Sequence, residues 1–91
     1  MTDAPATYSV YLVRCADGSL YCGIAIDVNA RIAQHNGAKL GARYTKSRRP
    51  VQLVYSEFCG TRSDALKREI RIKKLSRAEK ERLIESARAA A

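Results

Sequence analysis

The sequence has few of the residues that build disulfide frameworks, zinc sites or membrane spans. Its 91 residues include three cysteines, Cys15, Cys22 and Cys59, without a C-x-x-C spacing. An odd number of cysteines argues against a disulfide framework, and the lack of closely spaced ligand pairs argues against a zinc site with His35. No apolar run could cross a bilayer, and residues 1–8 lack the basic and apolar blocks of a targeting signal. We therefore expect a cytoplasmic protein that has no membrane association.

Acidic residues are also scarce, nine against 17 lysines and arginines, so the net charge is +8. Residues 39–49 contain five cations, one tyrosine and no acid, and residues 67–77 contain six cations and one acid. Basic runs with an interleaved aromatic ring are typical of nucleic-acid binding; the alternative is a solvated surface kept soluble by its charge. The residues predicted to contact nucleic acid are Gly23, Lys39, Arg43, Tyr44, Lys46, Arg48, Arg49 and Lys73.

The pattern along the chain predicts one small α+β domain over residues 8–86, in the order β-β-α-β-α-α, with flexible tails at 1–7 and 87–91. We expect a three-stranded antiparallel sheet with helices packed on it. Capping boxes begin the last two helices, in which Leu66 with Ile70, and Leu83 with Ile84 and Ala87, are predicted to face the core. The predicted strands are Tyr8–Arg14, Ser19–Ile26 and Val51–Phe58, and the predicted helix caps are Asp27, Thr61 and Ser76.

The length of the first turn decides where two tyrosines point. A two-residue loop would place Tyr11 and Tyr21 on opposite faces of the sheet. A three-residue loop, Ala16-Asp17-Gly18, pairs Tyr11 with Gly23 and puts both phenols on one face. Gly23 would then leave a gap beside the Tyr11 ring that a backbone or a ligand could enter. Ordinary sheet tyrosines packed against a helix are the alternative interpretation.

The helix after the hairpin carries two stripes. Val28 and Ile32 form an apolar pair that faces the sheet, between the Asp27 cap and a stop at Gly37. Arg31 and His35, also four residues apart, form a second stripe beside it. A solvated helix surface is the alternative, but a guanidinium and an imidazole next to two phenols indicate a functional site.

Together these residues resemble the GIY-YIG nuclease family, in particular its small stand-alone bacterial members. The resemblance rests on Tyr11, on Tyr21 and Gly23 ten residues later, on Arg31 with His35, and on Glu69, and it spans roughly residues 8–84. It implies a compact αβ domain and metal-dependent hydrolysis of phosphodiester bonds, most simply in DNA during repair or processing. A protein partner that supplies specificity would suit so short a chain, and a nucleic-acid-binding module with little catalysis is the alternative.

The resemblance also implies a role for each site residue. Tyr21 would be the general base, Tyr11 would orient it, Arg31 would stabilise phosphate charge, and His35 would assist proton transfer. Glu69 would bind one Mg²⁺ or Mn²⁺ ion, whereas its ordinary role would be an ion pair with Lys73 or Arg62. The chain departs from repair-type members in two places, Ile24 instead of a lysine and no asparagine after Glu69, and both departures remove support for phosphate charge.

Overall fold

The computed structural model describes residues 7–37 and 48–90, which form a three-stranded antiparallel sheet with helices on both faces. The strand order is β2-β1-β3, and the central strand β1 pairs with both neighbours. The predicted α+β class and the order β-β-α-β-α-α are confirmed. No helix within these two ranges is long and apolar enough to span a membrane. The elements are β1 (Tyr8–Arg14), β2 (Leu20–Ala25), α1 (Val28–Asn36), β3 (Gln52–Gly60), α2 (Arg62–Lys73) and α3 (Arg77–Ala90).

The β1–β2 turn has the predicted three-residue length. Gly18 adopts a φ of 85°, in the left-handed region that glycine tolerates best. Its N–H donates to the Cys15 carbonyl at 2.9 Å, and the Cys15 N–H donates to the Ser19 carbonyl at 2.8 Å. Tyr11 consequently pairs with Gly23, and Val13 with Tyr21, as the three-residue loop requires.

Helix α1 covers one face of the sheet. The Asp27 carboxylate accepts the Ala30 N–H at 3.0 Å and caps its first turn, and the helix ends at the predicted Gly37. Val28 and Ile32 pack against Tyr11 and the other buried residues of this face. The predicted apolar pair of α1 is confirmed.

Helices α2 and α3 pack on the opposite face, where Ile72 and Ile84 join Val10, Leu12 and Cys22 in the second half of the core. Thr61 with Asp64 and Ser76 with Glu79 form the two predicted capping boxes.

The predicted core positions of these two helices were partly wrong. Ile70 is 51% exposed, whereas Ala65 and Ile72 are fully buried. Ala65 and Ile72 are seven residues apart, which is nearly two full turns, and that spacing places Ile70 on the outer side of α2. In α3, Ile84 is buried, Leu83 is partly buried, and Ala87 is exposed.

A charged network joins α3 to the hairpin. Arg14 of β1 donates two hydrogen bonds to the Glu81 carboxylate, at 2.9 and 2.7 Å. Arg77 donates to the same carboxylate at 3.1 Å and to the Gly18 carbonyl at 2.8 Å. These bonds, above all the one from Arg14, lower the pKa of Glu81 to about 2. The network therefore keeps Glu81 charged and fixes α3 across the end of the sheet.

Asn36 connects the end of α1 to the start of β3. Its amide donates to the Val51 carbonyl at 3.0 Å and accepts the Val51 N–H at 2.7 Å. Val51 is buried, so both backbone groups depend on this side chain for their hydrogen bonds.

We expect Asn36→Ala to lower the free energy of unfolding by about 1–3 kcal/mol, because it leaves both Val51 groups unpaired. Urea denaturation followed by circular dichroism measures this loss. Asn29→Ala, at an exposed position of the same helix, is the matched control and should change stability far less. Equal losses in the two variants would contradict this role of Asn36.

Candidate active site

The centre of the candidate site is a hydrogen bond between two buried side chains. Tyr11 Oη lies 2.8 Å from His35 Nε2, and the residues are 1% and 0% exposed. The register of the hairpin sets the position of Tyr11, and the last turn of α1 sets that of His35. A strand residue and a helix residue 24 positions apart are thus held together in the core.

Tyr21 contacts the same imidazole. Its ring centroid is 5.4 Å from that of His35, with the planes inclined at 70°, while the Tyr11 centroid is 5.9 Å away at 61°. Both contacts are edge-to-face, an arrangement that aromatic rings favour. Tyr21 is only partly buried, so of the two phenols it is the one that a substrate can reach.

Arg31 completes the group, one turn before His35 on α1. Its guanidinium donates to the Gln34 side chain at 2.9 Å, which holds it along the helix. Gln34 was not among the predicted site residues, although its i, i+3 spacing from Arg31 would have been a usable signal. Four of the predicted residues, Tyr11, Tyr21, Arg31 and His35, therefore lie on one side of the sheet.

The pKa values of the buried pair identify which groups carry protons. Burial raises the pKa of Tyr11 to about 12, against the opposing effect of a hydrogen bond from Arg31. Burial, followed by the nearby Arg31 charge, lowers the pKa of His35. At neutral pH the phenol keeps its proton and the imidazole is uncharged. Both protonation states fit a series of hydrogen bonds in which the Tyr11 hydroxyl accepts from the Arg31 guanidinium and donates to His35 Nε2.

Gly23 supplies the space for the Tyr11 ring. A Cβ atom at this position would lie 2.5 Å from Tyr11 Oη and 2.7 Å from Cζ. The interpretation of Gly23 as a gap open to a ligand was wrong, because the phenol of the neighbouring strand already fills it. The glycine serves the site by close packing.

Known proteins are similar to this protein over nearly its whole length. Residues 7–82 match the GIY-YIG catalytic domain. The chain belongs to the GIY-YIG family. Its curated relatives include a UPF0213 protein of Staphylococcus aureus, 58% identical over 78 residues, which covers 86% of this chain and 94% of the relative. Another is a UPF0213 protein of Desulfotalea psychrophila, 54% identical over 93% of this chain and 76% of the relative.

Two solved structures are also similar to this chain. The UPF0213 protein BH0048 from Bacillus halodurans, solved by solution NMR, is 39% identical over 87% of this chain and 83% of that chain, with a TM-score of 0.55. The protein EF2693 from E. faecalis, also solved by NMR, is 34% identical over 97% and 93% of the two chains, with a TM-score of 0.63. The predicted resemblance to small bacterial members of the family is confirmed.

Glu69 occupies a different part of this GIY-YIG domain. It belongs to α2, which packs on the face opposite α1, and its charge contributes to raising the pKa of the buried Cys22 thiol. Its side chain is 16% exposed and pairs with Lys73 at 3.7 Å, which is the ordinary role considered above. In the described part of the chain, no three His, Cys, Asp or Glu side chains form a group that could hold a metal. A single carboxylate still suits Mg²⁺, which keeps water and phosphate oxygens as its other ligands.

The predicted nucleic-acid contacts are only partly within the described residues. Lys39, Arg43, Tyr44 and Lys46 lie outside them. Arg48 forms an ion pair with Asp17 at 3.0 Å, and its carbonyl accepts the Ala16 N–H at 2.9 Å, so it also holds the hairpin turn. Among residues 7–37 and 48–90, the buried Nε of Arg49 has no hydrogen-bond partner.

Ile24 packs on the α2 and α3 side of the sheet, beside the core cluster that contains Val10 and Cys22. The alternation of side chains along β2 thus directs position 24 away from Tyr21. At this position the chain has gained an apolar contact where repair-type relatives carry a charge.

Gly23→Ala should lower the free energy of unfolding by about 1–3 kcal/mol, because the new methyl group forces the buried Tyr11 ring out of place. Urea denaturation measures the loss. Gly37→Ala is the matched control, since its Cβ would come no closer than 3.2 Å to another atom, and it should cost less. A Gly23→Ala variant as stable as the wild type would refute this packing role.

Stability should fall as the pH is lowered from about 7.5 to about 5.5, the range in which an ordinary histidine titrates. The pKa of His35 is lower in the folded than in the unfolded chain, so the unfolded state binds more protons in this range. The stabilisation is therefore complete above the unfolded value and is lost on acidification. His35 is the only histidine in the chain. Denaturation midpoints at both pH values should differ clearly in the wild type and much less in His35→Gln; equal pH dependence in both would contradict the assignment.

Proposed function

We propose that this protein is an endonuclease that hydrolyses phosphodiester bonds of DNA in repair or processing, with one bound divalent cation. The observation that carries the proposal is the buried Tyr11–His35 hydrogen bond with Tyr21 and Arg31 beside it. Burying these polar side chains costs free energy that apolar side chains at the same positions would not. An ordinary core therefore does not account for the group.

Tyr21 acts as the general base that takes a proton from the attacking water. A phenol takes a proton from water only as the phenolate, which nearby positive charge stabilises. Arg31 supplies positive charge on the same side of the sheet. Tyr11 cannot compete for this role, since it holds its own proton up to a pKa of about 12. Tyr11 is instead a positioning residue, and it fixes the His35 ring against which Tyr21 packs.

Arg31 and His35 differ in what they contribute. The guanidinium is charged at every working pH and stabilises the negative charge that develops on the phosphate. The neutral imidazole, whose Nε2 accepts from Tyr11, assists by orienting the Tyr21 ring that packs against it. The hydrogen bond to Gln34 holds the Arg31 guanidinium in position.

Glu69 would hold the cation, Mg²⁺ or Mn²⁺, at the edge strand β2, where its charge already acts on Cys22 beside Tyr21, with water and phosphate oxygens as the remaining ligands. When bound, the ion supplies Lewis-acid charge stabilisation to the phosphate oxygens. The nearby Lys73 would have to release the carboxylate, a small cost for a pair at 3.7 Å whose lysine is 53% exposed.

The net charge of +8 supports a nucleic-acid substrate, most simply DNA. A chain this short has little surface for reading base sequence. A substrate chosen by its branched or single-stranded shape, or a protein partner that supplies specificity, accounts for recognition.

A nucleic-acid-binding module with little catalysis is the second candidate. Three observations favour it: Glu69 is already paired with Lys73, it projects from the helix on the opposite face, and Ile24 replaces a cation of the repair-type members. The same basic surface would serve this function without the chemistry.

One experiment separates the two functions. Purified protein is incubated with branched, single-stranded and duplex DNA in Mg²⁺, Mn²⁺ or EDTA. We expect metal-dependent cleavage that falls at least about 100-fold in Tyr21→Phe, the usual scale for loss of a general base, while DNA affinity is retained. Glu69→Gln should abolish the metal dependence together with the activity.

Tyr55→Phe is the matched control, because it deletes another strand hydroxyl, one bonded to Glu57 at 2.8 Å on the other side of the sheet. It should cleave at nearly the wild-type rate. DNA binding without cleavage in either metal would favour the binding module. Cleavage that persists in Tyr21→Phe would refute the proposed base.

A further inference from the structure

The outward side of α2 carries a line of cations that the candidate active site does not use. Lys67, Arg71 and Lys74 are exposed and spaced i, i+4 and i+7, so they share one side of the helix and its C-cap. This side points away from the buried Ala65 and Ile72, which pack toward the sheet. We call these three cations the α2 ridge.

Two other cations of α2, Arg68 and Lys73, are already neutralised within the fold. Arg68 donates to Glu57 at 2.7 Å, and Lys73 pairs with Glu69. The three ridge cations have no ion pair among the described residues. Asp64 lies three residues before Lys67, and its carboxylate accepts the Thr61 N–H in the capping box. The ridge is thus a local excess of positive charge.

The dimensions of the ridge fit a phosphate backbone. Seven residues of α-helix separate its ends by about 10.5 Å along the axis. Successive phosphates of one DNA strand advance about 3.4 Å along the duplex and also turn about its axis, so a ridge of this length spans about two to three of them. Lys67 and Arg71 also border a shallow depression with Cys59, Asp64 and Arg68.

We propose that the α2 ridge is a second DNA-binding surface that holds one arm of a branched duplex while another arm occupies the Tyr21 side. The inference rests on the proposed function for its biological role, although the binding itself does not require cleavage. The sheet separates α2 from α1, so a straight duplex lying on one side of the domain cannot touch both surfaces. Two arms that meet at a junction can do so.

The test measures binding to a three-way DNA junction and to a linear duplex in EDTA, over a series of salt concentrations. The test variant is Lys67→Gln, Arg71→Gln and Lys74→Gln together. The matched control is Lys80→Gln, Arg82→Gln and Arg88→Gln on α3, which removes the same charge elsewhere. Circular dichroism and melting curves establish that both variants fold.

For the junction, the slope of log K against log salt should become shallower by about 2.7 in the ridge variant, since each lost phosphate contact contributes about 0.9. The wild-type preference for junction over linear duplex should disappear with it. The α3 control should keep most of the slope and the preference.

Equal losses in the two variants would show a general effect of net charge and overturn the proposal. So would failure of the wild type to bind the junction, or polyglutamate competing as well as DNA at equal charge. Wild-type binding without cleavage in Mg²⁺ or Mn²⁺ would overturn only the nuclease, and a ridge-dependent junction preference would still support the second surface.

Discussion

The length of the β1–β2 turn is the constraint on which the site depends. Because side chains alternate along a strand, one residue more or less in the loop would move Tyr21 to the other face, away from Tyr11 and His35. Gly18 adopts the left-handed conformation that the longer loop needs, and Gly23 leaves the room that the Tyr11 ring needs. Two glycines thus determine where the phenols lie.

On the same face of the sheet, burial gives two chemically identical hydroxyl groups different properties. Tyr11 and Tyr21 carry the same hydroxyl, but the inner one is fully enclosed and holds its proton, while the outer one lies where solvent and substrate can approach. Both phenol rings contact one neutral imidazole edge to face. The protein thereby obtains one rigid phenol and one accessible phenol from neighbouring strands of a very small sheet.

Local patterns predicted much of this structure, because turn length, caps and strand alternation are properties of adjacent residues. They predicted the α+β order, the hairpin register and the ends of α1. They failed for Ile70, because α2 faces the core with Ala65 and Ile72, which lie seven residues apart. The spacing of apolar residues alone did not identify that face. They could not show that Asn36 bonds Val51, or on which face Glu69 lies, because such relations between distant segments depend on the packed fold.

The tip of the first hairpin is tied down from two directions. Arg48 reaches it through Asp17, and Arg77 through the Gly18 carbonyl, although these arginines lie 31 and 59 residues further along the chain. Hairpin tips are ordinarily where a domain tolerates an inserted peptide or a new chain terminus. This tip is the wrong place for either. A tag or a circular permutation here would disconnect the strand pair from both later segments.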